Sequence, residues 1–280
     1  MVGERSAPLV LSRHVLMLGV VLMVLAPVYW MLMIGLKTEA EFSQIPPTIW
    51  PQEFTLEWFE AVVGKRGFGE QIMNSIIIAA IATSIAITVG SLAAYGLSRF
   101  QLPWGLNYHI LFFILTVRMF PQTVTVVPLF IFFTQIGLID THLGMGLVHS
   151  MLELPLAVWM MLGFFRDIPR DLEEAAMVDG DHWLGAFRKV IVPLVRPGLA
   201  ATSILILIAS WNEFLFALIL TRTEAQTLPI AVANQITQFD ILYGRMMAAS
   251  AISIIPVLIF TLLVQRNLIR GLTLGGVSGA

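Results

Sequence analysis

The chain contains no cysteine, which excludes disulfides and thiolate metal sites and leaves no sign of a redox compartment. Charge is scarce too. Only 12% of the 280 residues are Asp, Glu, Lys or Arg, and a net charge of -2 is too small to point to nucleic acid. Catalytic patterns are missing. Gly64-Lys65-Arg66 lacks both the earlier glycine and the Ser or Thr that a phosphate-binding loop needs. His142 and His149 are too far apart for a zinc-protease motif, and neither a nucleophile elbow nor paired carboxylates at useful spacing occurs. No internal repeat is detectable, which argues against an ion-coupled secondary carrier, the main alternative transporter class. The expectation is a non-enzyme with no catalytic residue and no metal or cofactor of its own; if ATP and magnesium are used, another chain binds them.

Apolar residues dominate instead: 58% of the chain is hydrophobic and the mean hydropathy is +0.85, the composition of an integral membrane protein. Residues 1–14 are short and polar, and 15–36 would rise about 33 Å as a helix, enough to span. That run is long for a secretory signal and lacks a clear small-x-small cleavage site. A proline-containing loop occupies 37–71. The stretch 72–265 reads as a core of five further spans, at 72–97, 106–133, 143–165, 198–220 and 246–264. The stretch 106–133, the chain's third span, is interrupted by Arg118, Pro121, Gln122 and Pro128, which predicts a helix broken or bent at depth. The tail 266–280 ends in LTLGGVSGA, too rich in glycine for a stable isolated helix. The fold class is therefore an all-α membrane protein with six transmembrane helices.

Six spans put both termini on one side. Ten basic residues (Arg5, Arg13, Arg99, Arg166, Arg170, Arg188, Lys189, Arg196, Arg266, Arg270) fall on the terminal side against five opposite (Lys37, Lys65, Arg66, Arg222, Arg245). The excess predicts cytoplasmic termini.

A charge near a helix centre costs roughly 2.5 to 3.5 kcal/mol on insertion scales, so Arg118, Glu153 and Glu213 should face protein or water. They are candidates for a polar translocation pathway, with Asn74, Gln122 and Asn212 as neutral companions. An Arg118–Glu153 pair that only holds helices together is the competing reading, and both stay open. Glu213 lies nearer the end of its span, where desolvation should be smaller.

The polar segment 166–197 separates the fourth and fifth spans. Pro169 can open a helix there, with Asp171, Glu173 and Glu174 near its positive end. Gly180 supplies a stop, and Asp181 can cap a second helix whose Phe187, Val190, Ile191 and Leu194 form one apolar stripe. Ala175 and Ala176 leave a flat face, and Glu174 offers an anion to a basic partner. An ordinary surface amphipathic helix would have the same composition.

Glu174-Ala175-Ala176, three residues, Gly180, nine residues and Val190-Ile191-Val192-Pro193 resemble the EAA loop of ABC-importer permeases. Val190 and Val192 depart conservatively from the usual Ile-x-Leu-Pro ending. Met119-Phe120-Pro121 with Pro128-Leu129-Phe130, Gly137-Leu138-Ile139-Asp140-Thr141, Trp211-Asn212-Glu213-Phe214, and Gln265-Arg266 with Gly271-Leu272-Thr273 narrow the resemblance to MalG-type permeases of carbohydrate importers. The resemblance implies the type I importer permease fold and a bacterial or archaeal plasma membrane. It further implies a heterodimer with a MalF-like second permease, two ATPase subunits that hold ATP and magnesium, and an extracytoplasmic sugar-binding protein. Glu174, Ala175, Ala176, Asp179 and Gly180 would form the coupling helix. The substrate would be a disaccharide or oligosaccharide, with polyols or glycerol phosphates as the alternative. Gly275 to Gly279 lack the lysine often seen near that end, where this subunit type reaches into the ATPase dimer.

Overall fold

The computed structural model describes residues 7–64, 67–237 and 241–275, with side chains from 12 to 263 within those ranges. Arg5, Lys65, Arg66 and the end of the glycine-rich tail lie outside the described residues, as do the side chains of Arg266 and Arg270. In chain order the helices are α1 (Ala7–Gly35), α2 (Glu39–Phe42), α3 (Glu57–Val63), α4 (Phe68–Arg99), α5 (Leu106–Met119), α6 (Gln122–Gln135), α7 (His142–Arg166), α8 (Asp171–Val178), α9 (Trp183–Ala186), α10 (Val192–Leu194), α11 (Arg196–Trp211), α12 (Leu215–Leu220), α13 (Leu228–Ala233) and α14 (Tyr243–Gly275). A 3-10 turn precedes α5 and a π-helical turn, Phe187–Ile191, joins α9 to α10. Among the described residues β-structure is limited to one isolated bridge, Ile236 with Ile241.

Among the described residues four helices are long and apolar enough to cross a membrane: α1 from Ser12, α4, α7 and α14 up to Leu263. Counting each of two bent pairs as one span brings the number to six. Pro121 fixes an extended backbone between α5 and α6, and the segments on either side of it diverge by 93°. The second pair joins the α9–α10 segment to α11 at 74°. Helix α11 alone has 16 residues, a rise of about 24 Å. It needs a neighbouring segment to complete a crossing of about 30 Å. Helix α14 continues through Gly275, eleven residues past the expected end of the sixth span, so the start of the tail is helical. Extending an existing helix adds one hydrogen bond per residue without a new nucleation cost, and Gly271 is tolerated there.

The chain forms two compact units. The first comprises residues 1–68 and 231–254. In it the loop after α1 is organised around two buried charges. The Lys37 ammonium donates to the Thr48 carbonyl and lies 5.2 Å from the Trp30 ring, while the Lys37 carbonyl accepts from the Trp58 indole at 2.7 Å. The Glu41 carboxylate accepts from the Thr48 hydroxyl at 2.7 Å and from the Gln52 amide at 2.9 Å. A buried charge is tolerated only with such partners.

The second unit comprises residues 69–230 and 255–280. Its centre is α7 with α4 and α11 against it. A Cβ at Gly90 would come within 2.5 Å of Ala157 Cβ, so only glycine allows α4 this close to α7, the small-residue packing that lipid-embedded helices favour. At one end Ile78, Met145, Val148, Phe216 and Leu220 form an apolar cluster. Another gathers Tyr95, Met161, Phe165, Phe187, Ile191 and Val195, so the polar segment after α7 is seated on the transmembrane helices through Phe187 and Ile191. Leu194, expected on the same stripe, is exposed, because the π-helical turn changes the helical phase after Phe187.

Candidate functional site

Helix α8 starts at Asp171, two residues after Pro169, with the Arg170 carbonyl accepting from the Glu173 and Glu174 amides at 2.9 and 3.1 Å. Asp179 closes it and Gly180 stands at φ +97°, a left-handed conformation that glycine adopts freely. The Gly180 amide donates to Met177 and the Asp181 amide to Ala176, both at 3.1 Å, the paired bonds of a Schellman termination. Asp181 does not cap the next helix. His182 occupies that position without a side-chain bond, and the Asp181 carboxylate instead accepts from Lys189 at 2.9 and 3.0 Å. It crosses Gly185 on the way, where a Cβ would meet Asp181 Oδ1 at 2.3 Å.

Adjacent carboxylates on α8 have opposite environments. Glu173 is buried: Oε1 lies 2.5 Å from Arg99 Nε and Oε2 accepts from the Tyr95 hydroxyl at 2.8 Å. Its side chain and that of Arg99 are 10% and 8% exposed. Arg99 also donates to the Ile168 carbonyl at 3.1 Å, and Arg170 donates to the Ser98 carbonyl at 3.1 Å. The Tyr95 ring packs on Phe165 and Phe187, with centroids 5.6 and 4.5 Å away. Glu174, Ala175, Met177, Val178, Asp179 and Gly180 are exposed, and Ala176 is half-buried. A crevice of about 210 Å³ opens beside them, lined by Arg99, Arg170, Glu174, Met177 and Trp183 among others. One side of α8 is thus fastened to the end of α4 and the other is presented outward.

Four charged or titratable side chains meet within the transmembrane helices. Arg118, in the last turn of α5, donates to the Leu152 carbonyl at 2.8 Å and contacts Glu153 at 3.3 Å. His149 is one helical turn from Glu153 on α7; its Nδ1 is 2.7 Å from the Ser210 hydroxyl and its Nε2 3.2 Å from Glu213. The Glu213 carboxylate accepts from the Phe216 and Ala217 amides at 2.8 and 3.1 Å, capping α12. Its side chain is only 10% exposed, contrary to the lighter desolvation its position suggested, because the chain breaks between α11 and α12 and folds the carboxylate inward. The Arg118 side chain is 43% exposed and borders a groove of about 490 Å³ shared with Gln122, Thr116, Thr125 and Met151.

Asn74 and Asn212 stand apart from that cluster. Asn212 is exposed and donates to the Ile208 carbonyl at 2.8 Å at the end of α11. Asn74 is buried near the start of α4, donating to the Glu224 and Gln226 carbonyls at 2.9 and 3.0 Å, with His142 2.6 Å from its oxygen. It fastens the loop after α12. The same loop wraps Asp140, whose carboxylate accepts from the amides of Arg222, Thr223, Glu224 and Ala225 at 2.9 to 3.1 Å. Partial burial opposes ionisation of Asp140, but the four amides outweigh it and hold its carboxyl down at about 2.

The sequence reading missed Glu173 as an anchor, and Tyr95 and Arg99 as its partners. It noted His149 without pairing it, although the i, i+4 spacing to Glu153 was available. Asp140 entered only as part of a motif.

Residues 86–274 match the model of the family described as binding-protein-dependent transport system inner membrane component. The trehalose transport system permease protein SugB of Mycobacterium tuberculosis is 39% identical over 261 residues, 91% of this chain and 93% of the relative. The trehalose/maltose transport system permease protein MalG of Thermococcus litoralis is 36% identical over 277 residues, covering 96% and 98%. A crystal structure of a bacterial ABC transporter that imports the acidic polysaccharide alginate contains a chain of the same fold, with a TM-score of 0.79 at 22% identity over 95% of this chain and 99% of that one. The chain belongs to the family of binding-protein-dependent transport system inner membrane components. It is a multi-pass inner-membrane protein and a permease subunit of an ABC importer.

Proposed function

We propose that this subunit forms one half of the translocation pathway of an ATP-driven sugar importer and that α8 is its coupling helix. The observation that carries this is the division of α8 into a fastened side, through Glu173, and a presented side, with Glu174, Ala175, Asp179 and Gly180 accessible. A partner ATPase that moves the presented side would move α4 and α7 with it, because the Arg99–Glu173–Tyr95 contacts and the Phe187 seat leave α8 little independent freedom. The subunit has no catalytic role and binds no cofactor. ATP and magnesium belong to two ATPase subunits, and a second permease encloses the remainder of the pathway. The termini and α8 lie in the cytoplasm, in keeping with the distribution of basic residues.

An extracytoplasmic binding protein delivers the sugar. A neutral disaccharide or oligosaccharide is favoured by the relatives named for trehalose and maltose. The groove beside Arg118 and Gln122 is the part of this chain that faces the pathway, and Glu153, paired with Arg118, balances its charge. Replacing Glu174 by Lys should abolish sugar uptake and substrate-stimulated ATP hydrolysis in proteoliposomes while the complex still assembles, since the Glu174 side chain is exposed and the hydrogen bond of its backbone amide survives the substitution. Unchanged uptake in that variant would remove the coupling role. Uptake driven by an ion gradient without ATPase subunits would instead establish a secondary carrier.

A further inference from the structure

We propose that the loop following α1 is a membrane-interface anchor: residues 45–54 fold back along the end of α1 and lie at the edge of the lipid hydrocarbon. The loop is inverted relative to a water-facing one. Lys37 and Glu41 before it are buried, while Ile45 and Trp50 are 96% and 60% exposed and Ile49 and Phe54 are exposed beside them; the one charge inside the loop, Glu53, is exposed at its end. From Phe42 to Gln52 there is no charged residue at all. Trp50 and Phe54 stack edge to face at 5.6 Å, giving one aromatic surface.

Depth follows from α1. Its apolar span, Ser12–Gly35, has 24 residues and is exposed from Ser12 through Pro27, so lipid or another subunit surrounds it there. As a helix the span rises about 36 Å, more than the hydrocarbon thickness of about 30 Å. Tyr29 sits six residues before the end of α1, about 9 Å back along its axis. Its hydroxyl donates to the Ile49 carbonyl at 2.9 Å. Ile49 and its neighbours therefore hang beside the spanning helix and do not project beyond it. Tyr29, Trp30 and Trp50 supply the amphipathic rings that favour the headgroup boundary. Lipid is the occupant this placement favours, because a soluble partner would have to reach below the end of α1 to cover Ile49. The placement holds whichever side of the membrane the loop occupies, so it stands apart from the topology proposed above.

The absence of native cysteine makes the test direct. Single variants Ile45→Cys, Trp50→Cys and Phe54→Cys are spin-labelled in the full transporter, assembled with cysteine-free partners in phospholipid nanodiscs. Leu22→Cys serves as the lipid reference and Glu224→Cys as the water reference, since both positions are exposed. The three loop labels should collide with oxygen in preference to a soluble nickel chelate several-fold more than the Glu224 label does, approaching the Leu22 pattern. Nickel accessibility equal to that at Glu224 would overturn the anchor. Shielding from both reagents would overturn it as well, showing that a protein subunit covers the loop.

Discussion

Helix α4 holds a loop at each end, and the two attachments are chemically different. At its end, Arg99 and Tyr95 grip Glu173 through a buried ion pair and a hydroxyl bond. Near its start, Asn74 and Ser75 hold the loop after α12 through neutral bonds to main-chain atoms of Glu224, Gln226 and Leu228. A buried ion pair fails badly when one member is lost, whereas neutral bonds fail one at a time. The ionic grip suits an end that, in the coupling role proposed for α8, would receive force and must not slip. The amide grip suits an end whose loop has only to keep its shape. Both sit on a single helix of 32 residues, about 48 Å long.

The largest expected effect is at the ionic end. Glu173→Ala should destabilise the complex by about 3 to 5 kcal/mol, because Arg99 is left charged, buried and unpaired. Thermal unfolding in detergent would show it, and adding Arg99→Met should restore part of the loss; a Glu173→Ala melt equal to wild type would mean the grip is not ionic. Asp140→Ala comes next, at roughly 2 to 3 kcal/mol, since four backbone amides lose a charged acceptor together. Limited proteolysis within 221–227 should report it, and unchanged cleavage would contradict the assignment.

The same carboxyl has a pH signature. Its value in the folded protein, about 2, is below the ordinary 3.8, so its stabilisation is fully present above 3.8 and is lost as pH falls towards 2. After allowance for solvent screening this amounts to roughly 1 kcal/mol. Asp140→Asn should remove that portion of the acid dependence. The mildest of the alanine substitutions should be Asn74→Ala, about 1 to 2 kcal/mol for two donated bonds with a buried loop edge left behind, read by hydrogen exchange in residues 224–228. If Asn74→Ala cost more than Glu173→Ala, the contrast between the two ends would be reversed.

Much of this is legible in the sequence. The apolar stretches, the interruption at Pro121 and the stop at Gly180 each follow from local chemistry. The angle at Pro121 does not, because it depends on what the two arms pack against. Glu173 and Glu174 are neighbours of identical type, and nothing local says which is buried; the choice is made by Arg99, 74 residues earlier in the chain. Glu213 was misjudged for the same kind of reason, since distance from a span's end measures depth only when the helix is unbroken there. Asp181 offered a plausible cap, but Lys189 offered a charge, and the charge prevailed.

The neighbouring carboxylates of α8 also set a rule for how this segment can change. In a helix, one extra residue ahead of Glu173 would rotate everything after it by about 100°. The acid now locked beneath the helix would swing round and the accessible one would be carried off its exposed side, so insertions between Asp171 and Glu173 should be forbidden. Beyond Gly180 the phase is reset by the left-handed turn, and lengthening there would leave both acids where they are.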